Sequence, residues 1–233
     1  MKKLFVILVA LAAGGAVNAQ TFYAQGGLNL ANISKNDAGE TNDRNTLATF
    51  NAGAMVRFGL SKVFDLETGL LFTGRGAKSD TYFGSNEDDN YIKAKFNPYY
   101  IELPLNAVVK FPLAADGKTN IFVNAGPYVA VGVAGKSKVE SKFLGVTTSS
   151  SESIKFNDDD PTTSGQENAR YDRLKRFDYG LNFGAGIDLG TVMLKANYGL
   201  GLAKISSLET NNSDDDKNKY RTLSISVGIP LGR

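Results

Sequence analysis

Apolar and polar residues alternate with a period of two through eight separate segments of the chain. In the first segment, Ala24 and Leu28 share one parity and Asn29 has the other. This alternation predicts β-strands with one apolar and one polar face, and helical spacing does not fit it as well. The predicted strands are residues 22–30, 50–60, 66–75, 99–111, 121–133, 178–189, 192–202 and 223–231.

The length of these strands is typical of membrane-spanning strands and not of strands in soluble proteins. Each run has about 9 to 13 residues, whereas strands of globular proteins peak near 5–6 residues. About 9 to 11 tilted residues cross the hydrocarbon core of a bilayer. The polar parity is rich in Gly, Asn and Ser, which suits the inner wall of a narrow, hydrated barrel, so the apolar parity is expected to face lipid.

The connections between the strands alternate in length. Short links are expected at residues 61–65, 112–119 and 190–191, and long links at 34–47, 77–96, 134–176 and 206–220. A soluble β-sandwich would have shorter strands and no such alternation. The pattern therefore predicts an all-β fold: an eight-stranded antiparallel up-and-down transmembrane β-barrel with short periplasmic turns and long extracellular loops.

The first 19 residues have the layout of an export signal. Lys2 and Lys3 precede ten apolar residues, and Val17 and Ala19 supply the small residues of a cleavage site. We therefore expect a signal peptide at residues 1–19 and a single outer-membrane β-barrel domain at residues 20–233. An exported chain without cysteine indicates a bacterial envelope, and the predicted location is the bacterial outer membrane.

Composition excludes several kinds of chemistry. The sequence has no Cys and no His, which removes thiolate nucleophiles, His-dependent triads and Cys- or His-ligated metals. Lys and Arg number 26 and Asp and Glu number 24. The chain therefore lacks the basic excess that would indicate nucleic-acid binding. We expect no catalytic residues, no cofactor and no metal site.

Charged residues on the inward parity are the candidate functional residues. An eight-stranded barrel is just wide enough for side chains to fill, so these charges are expected to form a structural salt-bridge network in the lumen. The alternatives are a proton or ion path, or a carboxylate pair of Glu67 with Glu102 that performs acid–base work. The inward charges are Arg57, Glu67, Arg75, Glu102, Lys110, Asp178, Asp188 and Lys195.

Prolines and acidic runs add further expectations. Pro104 and Pro127 fall inside predicted strands and each removes a backbone donor, so we expect bulges there. Acidic runs at residues 87–89, 158–160 and 214–216 fall in predicted external loops. They are expected to be solvated loop charge, with divalent-cation binding as the alternative.

Four short pieces of the sequence resemble a known family. The more specific ones are Tyr-Ile-Glu-Leu-Pro-Leu at residues 100–105 and Asn-Ala-Gly-Pro-Tyr at residues 124–128, and glycine-rich pieces lie at 26–30 and 184–189. They resemble the PorT-like outer-membrane β-barrel family of Bacteroidetes. The resemblance implies a small eight-stranded outer-membrane barrel and supplies no family active site. The family takes its name from a member that is linked to protein secretion.

The sequence thus predicts a non-enzymatic outer-membrane barrel with a structural, surface-interaction or secretion-accessory role. A small specific pore is the alternative, and a carboxylate-dependent outer-membrane enzyme is less favoured because small barrel enzymes rely on a His. The expected partners are outer-membrane lipid and lipopolysaccharide, the barrel assembly machinery and a possible protein partner at the external loops, but no nucleic acid.

Overall fold

The computed structural model describes residues 20–34, 45–83, 90–113, 119–156, 173–205 and 218–231. The expected signal peptide and the three acidic runs lie outside the described residues. The described part of the chain is almost entirely β-structure. Its strands are β1 (Gln20–Ser34), β2 (Leu47–Gly59), β3 (Phe64–Gly74), β4 (Ala77–Tyr82), β5 (Tyr91–Pro112), β6 (Asn120–Phe143), β7 (Val146–Ser153), β8 (Lys155–Phe156), β9 (Arg173–Leu174), β10 (Phe177–Asp188), β11 (Met193–Gly201) and β12 (Lys219–Pro230).

Eight of these strands pair antiparallel in a closed ring. The order is β1, β2, β3, β5, β6, β10, β11 and β12, and β12 pairs again with β1. Gln25 on β1 lies opposite Gly53 on one side and Gly228 on the other. The eight strands coincide with the eight predicted from alternation, so the all-β antiparallel prediction is confirmed.

The two parities of each strand occupy opposite sides of the ring. Leu28 is 70% exposed and Ile225 is 62% exposed on the outside, whereas Asn29, Glu67 and Asn106 are buried on the inside. A polar interior beneath an apolar exterior is the reverse of the usual arrangement in water. No helix within the described residues is long and apolar enough to span a membrane.

The ring has two different ends. Short links join β2 to β3, β5 to β6 and β10 to β11 at one end, which we call the turn end. The opposite end, which we call the loop end, carries the longer links. The sequence predicted only loops at 77–96 and 134–176, and this is wrong for a large part of both: β4, β7 and the outer halves of β5 and β6 occupy them. β4, β7 and the outer half of β6 contain few apolar residues and give little alternation to detect, and backbone pairing does not require an apolar face. The outer half of β5 does alternate, with Ile92 and Phe96 against Lys93 and Lys95, so this part could have been predicted.

The four strands β4, β5, β6 and β7 continue beyond the ring as an antiparallel sheet. We call this projection, residues 77–82, 91–97, 135–143 and 146–153, the loop-end sheet. β6 and β7 are joined by Leu144 and Gly145, whose φ angles are 48° and 80°. Positive φ at both central residues is the signature of the tight type I′ hairpin turn.

The expected bulges at Pro104 and Pro127 are not observed. Pairing keeps the same register on both sides of Pro104 and through Pro127, which lies opposite Leu181. Loss of one donor weakens the ladder but does not require an inserted residue. The register shift lies instead between Tyr99 and Tyr100, where the partner strand gains one residue, Val133.

Candidate functional site

The turn-end half of the lumen contains a cluster of charges centred on Glu67, which is fully buried. Arg57 Nη2 donates to Glu67 Oε2 at 2.7 Å, and Lys195 Nζ donates to Glu67 Oε1. Asn106 Nδ2 also donates to Oε1, at 3.3 Å. One carboxylate therefore binds side chains from β2, β5 and β11 and links three walls of the ring. We call these residues the Glu67 cluster.

Two further ion pairs lie beside the Glu67 cluster, toward the turn end. Arg57 Nη1 is 3.8 Å from Asp188 Oδ2, and the Arg57 guanidinium lies 4.4 Å from the ring centroid of Phe122. Lys110 Nζ is 2.6 Å from Asp65 Oδ1. A cavity of about 310 Å³ opens here, lined by Arg57, Asp65, Lys110 and turn residues. Arg57 therefore lies between this cavity and the buried Glu67.

A second cluster fills the loop-end half of the lumen around Arg75, which is 4% exposed. Its two terminal nitrogens bind different carboxylates: Nη1 donates to Asp178, and Nη2 donates to Glu102 at 2.5 Å. Tyr128 accepts from Arg75 Nη1 and donates to Asp178, both at 3.1 Å. Asn182 donates to the free oxygen of Glu102 at 3.0 Å. We call this group the Arg75 cluster.

Aromatic and aliphatic side chains close the lumen on the loop-end side of the Arg75 cluster. Tyr100 and Tyr220 hydrogen-bond each other at 3.2 Å, and their rings lie 5.3 and 5.8 Å from the Arg75 guanidinium carbon. Ile154 and Phe156, from the segment after β7, reach back over β6. A Cβ at Gly132 would lie 2.1 Å from the Phe156 ring, so this glycine admits the ring. We call this group the apolar cap; its buried members are Phe96, Tyr100, Tyr128, Ala130, Ile154, Leu174, Ile205 and Tyr220.

The two clusters leave little space between them. A cavity of about 40 Å³ lies at mid-lumen, with Arg75 and Glu102 on one side and Lys195 on the other. Gln25, Asn106 and other polar side chains line it. A space of this size accommodates about two or three water molecules. Polar side chains therefore fill most of the described lumen.

The structure brings the predicted lumen charges together in two groups. Arg57, Glu67, Lys195 and Asp188 meet in one, and Arg75, Glu102 and Asp178 in the other, with Lys110 paired to Asp65 near the turn end. Glu67 and Glu102 belong to different groups and bind different cations, so they do not form the carboxylate pair considered from the sequence. Among the described residues, no group of three or more acids is placed to hold a metal ion.

Some site residues were missed by the sequence analysis. Tyr100 and Tyr220 share the inward parity of Glu102 and Ser226, so parity could have identified them. Asp65 was read as a turn residue, although it lies on β3 and is buried. Ile154 and Phe156 carry no such signal, because a folded-back loop segment places them over the lumen.

Comparison with known proteins gives one matching family model and several similar solved structures. The model of the outer membrane protein beta-barrel domain matches residues 18–207, and no curated protein matches the chain. The chain is similar to the solved structure of Ail, the attachment invasion locus protein of Yersinia pestis, with 14% identity over 91% of this chain and 99% of that chain and a TM-score of 0.41.

Two other solved structures give similar values. Ail in complex with the heparin analogue sucrose octasulfate has 13% identity over 91% of this chain and 99% of that chain, with a TM-score of 0.39. Neisserial surface protein A has 13% identity over 90% of this chain and 97% of that chain, with a TM-score of 0.39. Because the family model covers most of the sequence, the chain belongs to the outer membrane protein beta-barrel domain family.

Proposed function

We propose that this protein is a non-enzymatic outer-membrane β-barrel with a sealed lumen, whose loop end lies outside the cell and presents an interaction surface. In this proposal residues 1–19 are removed on export and residues 20–233 form the barrel. The turn end faces the periplasm. The protein contacts the outer-membrane lipid directly and is inserted by the barrel assembly machinery.

The observation that carries this proposal is the way the lumen is filled. The Glu67 cluster and the Arg75 cluster each tie several strands together across the interior, and the apolar cap covers the loop-end side. Breaking a buried ion pair by removing one partner is costly. The lumen charges therefore act as structural cross-links of the barrel wall, and a solute path through them would require both clusters to open.

The contacts of Glu67 and Glu102 also argue against acid–base catalysis by these two carboxylates. Glu67 accepts bonds from two cations and an amide, and Glu102 accepts from a guanidinium and an amide. A general base needs a lone pair directed at a substrate proton. Each of these oxygens instead contacts a fixed side chain of the wall.

The two specific pieces that resemble the PorT-like family contribute to one cluster of the lumen. The two specific pieces lie on neighbouring strands, with Pro104 directly opposite Tyr128. One supplies Glu102 and the other supplies Tyr128, and both side chains bind Arg75. A secretion-accessory role at the loop end rests on the resemblance.

Recording the conductance of the purified, folded protein in a planar lipid bilayer tests the sealed lumen. We expect no single-channel steps from the wild type. The Arg75→Gly, Phe156→Gly double variant removes the central cation and the ring above it, and we expect it to produce small, irregular openings. Stable unitary steps from the wild type would instead favour a small specific pore.

A further inference from the structure

Six lysines lie on one face of the loop-end sheet. They share a face because directly opposed residues of neighbouring strands lie on the same side of a sheet. This face continues the outer surface of the ring, because Lys95 has the same parity on β5 as the outward-facing Ile101. Lys78, Lys95 and Lys138 are directly opposed on β4, β5 and β6. We call the face that contains them the lysine face; its lysines are Lys78, Lys93, Lys95, Lys136, Lys138 and Lys142.

The register shift in β6 creates this face. Up to Val131 the odd residues of β6 point outward, and Val133 and Ala134 are both exposed. Beyond them the parity is reversed, so that Lys136 lies opposite Asn97 and Lys138 opposite Lys95. If β6 kept its regular alternation through Val133 and Ala134, with no bulge, both lysines would point to the opposite face. A bulge that re-aims side chains in this way is a typical functional device of sheets.

The charges on the lysine face do not balance. Its two acids are Asp80 and Glu140, which contact Lys78 at 3.4 Å and Lys138 at 3.3 Å. Within the described chain, Lys95 and Lys136 have no carboxylate at salt-bridge distance. Like charges directly opposite each other on neighbouring strands are destabilising, so the row Lys78–Lys95–Lys138 is unfavourable for the isolated protein and favourable for a bound anion.

Glu140 contacts both a tyrosine and a lysine of this face. The Tyr91 hydroxyl donates to Glu140 at 3.1 Å, and this bond with the nearby Lys138 ammonium lowers the pKa of the Glu140 carboxyl. Lys93 lies over the ring of Tyr91, 4.2 Å from its centroid. Among the described residues, the face therefore carries six lysines and two acids, with the rings of Tyr82 and Tyr91 between them.

The lysine face begins where the apolar exterior of the barrel ends. Phe50, Phe72 and Tyr99 form an outward aromatic group, with the Phe72 and Tyr99 rings stacked at 5.1 Å. Aromatic groups of this kind mark the level of the lipid headgroups. At about 3.4 Å per residue and a tilt of about 40°, Lys136 lies about 5 Å and Lys95 about 10 Å above Tyr99. The headgroup layer is about 5 to 8 Å thick.

From this placement we propose that the lysine face binds the phosphate groups of anionic glycolipid in the outer leaflet, with Lys95, Lys136 and Lys138 as the main contacts. The face looks sideways along the bilayer and continues the lipid-facing wall, so membrane lipid lies directly beside it. Long lysine side chains can reach down to headgroup level. The proposal rests on the loop end lying in the outer leaflet.

The test compares lipids that differ only in phosphate. Folded, affinity-tagged protein is reconstituted in dimyristoylphosphatidylcholine vesicles with about 10 mol% diphosphoryl lipid A or its dephosphorylated form, extracted in mild detergent and purified, and the lipid A retained per protein is counted by mass spectrometry. We expect wild type to retain several-fold more of the phosphorylated lipid. The Lys95→Gln, Lys136→Gln, Lys138→Gln variant should fall to the level of the dephosphorylated lipid, and 0.5 M salt should lower wild-type retention.

Matched variants keep the result specific. The Lys62→Gln, Lys155→Gln, Lys175→Gln variant removes three lysines from outside the lysine face and should retain lipid A as wild type does. A single Lys136→Glu variant gives a second measure if the triple variant folds poorly, and heat-dependent gel mobility reports the folded fraction of each. Equal retention of diphosphoryl lipid A by the triple variant and wild type would overturn the proposal. This holds even if the triple variant has lost binding to soluble inositol hexakisphosphate, because the face would then bind free phosphates and not the lipid. In these vesicles lipid A is present in both leaflets, so the result does not depend on the orientation of the protein. The sealed lumen is tested separately, by the conductance measurement.

Discussion

Arg57 and Glu67 lie directly opposite each other on β2 and β3, and Arg57 Nη2 is 2.7 Å from Glu67 Oε2. Both side chains are almost completely buried. Lys195, from β11 across the lumen, binds the other oxygen of the same carboxylate. The pair is therefore part of a three-residue group in which Glu67 is the shared anion, and the consequences of removing the two partners should differ.

The first prediction concerns this asymmetry. Glu67→Leu leaves two buried cations without their shared carboxylate and should lower the free energy of unfolding by about 3–5 kcal/mol. Arg57→Met leaves Glu67 bound to Lys195 and should cost less, about 1.5–3 kcal/mol. The loss in the double variant should be smaller than the sum of the two single losses, because Arg57→Met also removes one of the two cations that Glu67→Leu leaves without its carboxylate. Urea-induced unfolding in lipid vesicles measures all four corners of the cycle.

Additive costs in this cycle would contradict the shared site. A useful control is Lys110→Met, since Lys110 pairs with Asp65 and is part of a separate ion pair. Its cost should add to that of Arg57→Met within experimental error.

The second prediction concerns the shape of the cation in the Arg75 cluster. Arg75 contacts Asp178 with one terminal nitrogen and Glu102 with the other, which a planar guanidinium can do and a single ammonium cannot do with the same geometry. Arg75→Lys should therefore lower the free energy of unfolding by about 1.5–3 kcal/mol although the charge is kept. Arg176→Lys, at an exposed arginine, should change it by less than about 0.5 kcal/mol. Equal stability of the two variants would show that the bridging geometry contributes nothing.

The third prediction tests the lipid-facing side at two depths. Leu105 and Ile101 are outward-facing residues of β5, 47% and 44% exposed. Leu105 lies midway between Tyr99 and Phe111, whereas Ile101 lies next to the aromatic group. Leu105→Arg should cost about 2–4 kcal/mol and Ile101→Arg about 0–1 kcal/mol, since the penalty for a charge falls toward the interface. Equilibrium folding into phosphatidylcholine vesicles gives both values, and a cost independent of depth would rule out the assigned bilayer position.

The ring was predictable because its pattern comes from the fold itself. Each strand of the ring has one face toward the apolar exterior and one toward the polar lumen, so residues such as Leu28 and Asn29 must alternate. The inward position of charges such as Glu67 then follows from parity alone. The cap was not predictable, because Phe156 reaches Gly132 through tertiary folding of a loop. The reversal of parity at Val133 was also invisible, since one extra residue changes no local composition.

The fourth prediction concerns the hairpin between β6 and β7, which the sequence analysis also missed. Leu144 has a φ of 48° and is 95% exposed, and a Leu-Gly turn lacks the Asn-Gly signal typical of type I′ turns. Leu144→Asn should relieve the strain, because Asn tolerates the left-handed region better than Leu. Amide hydrogen exchange across the β6–β7 pairing should slow by about two- to fivefold. Leu144→Ala removes the exposed side chain and keeps the strained backbone, so it should show no comparable slowing.

The fifth prediction concerns the orientation of the barrel, and the composition makes its test simple. The sequence has no cysteine, so a single introduced cysteine is the only thiol of this protein that a maleimide reagent can label. Leu144→Cys places the thiol at the tip of the loop-end sheet, and Lys62→Cys places it at an exposed position of the β2–β3 turn. If the loop end is external, a membrane-impermeant maleimide should label only the first variant on intact cells and both variants after the outer membrane is permeabilised. Labelling of Lys62→Cys alone on intact cells would reverse the orientation. It would also place the lysine face in the periplasmic leaflet, where the lipid it meets would have to be a different anionic species.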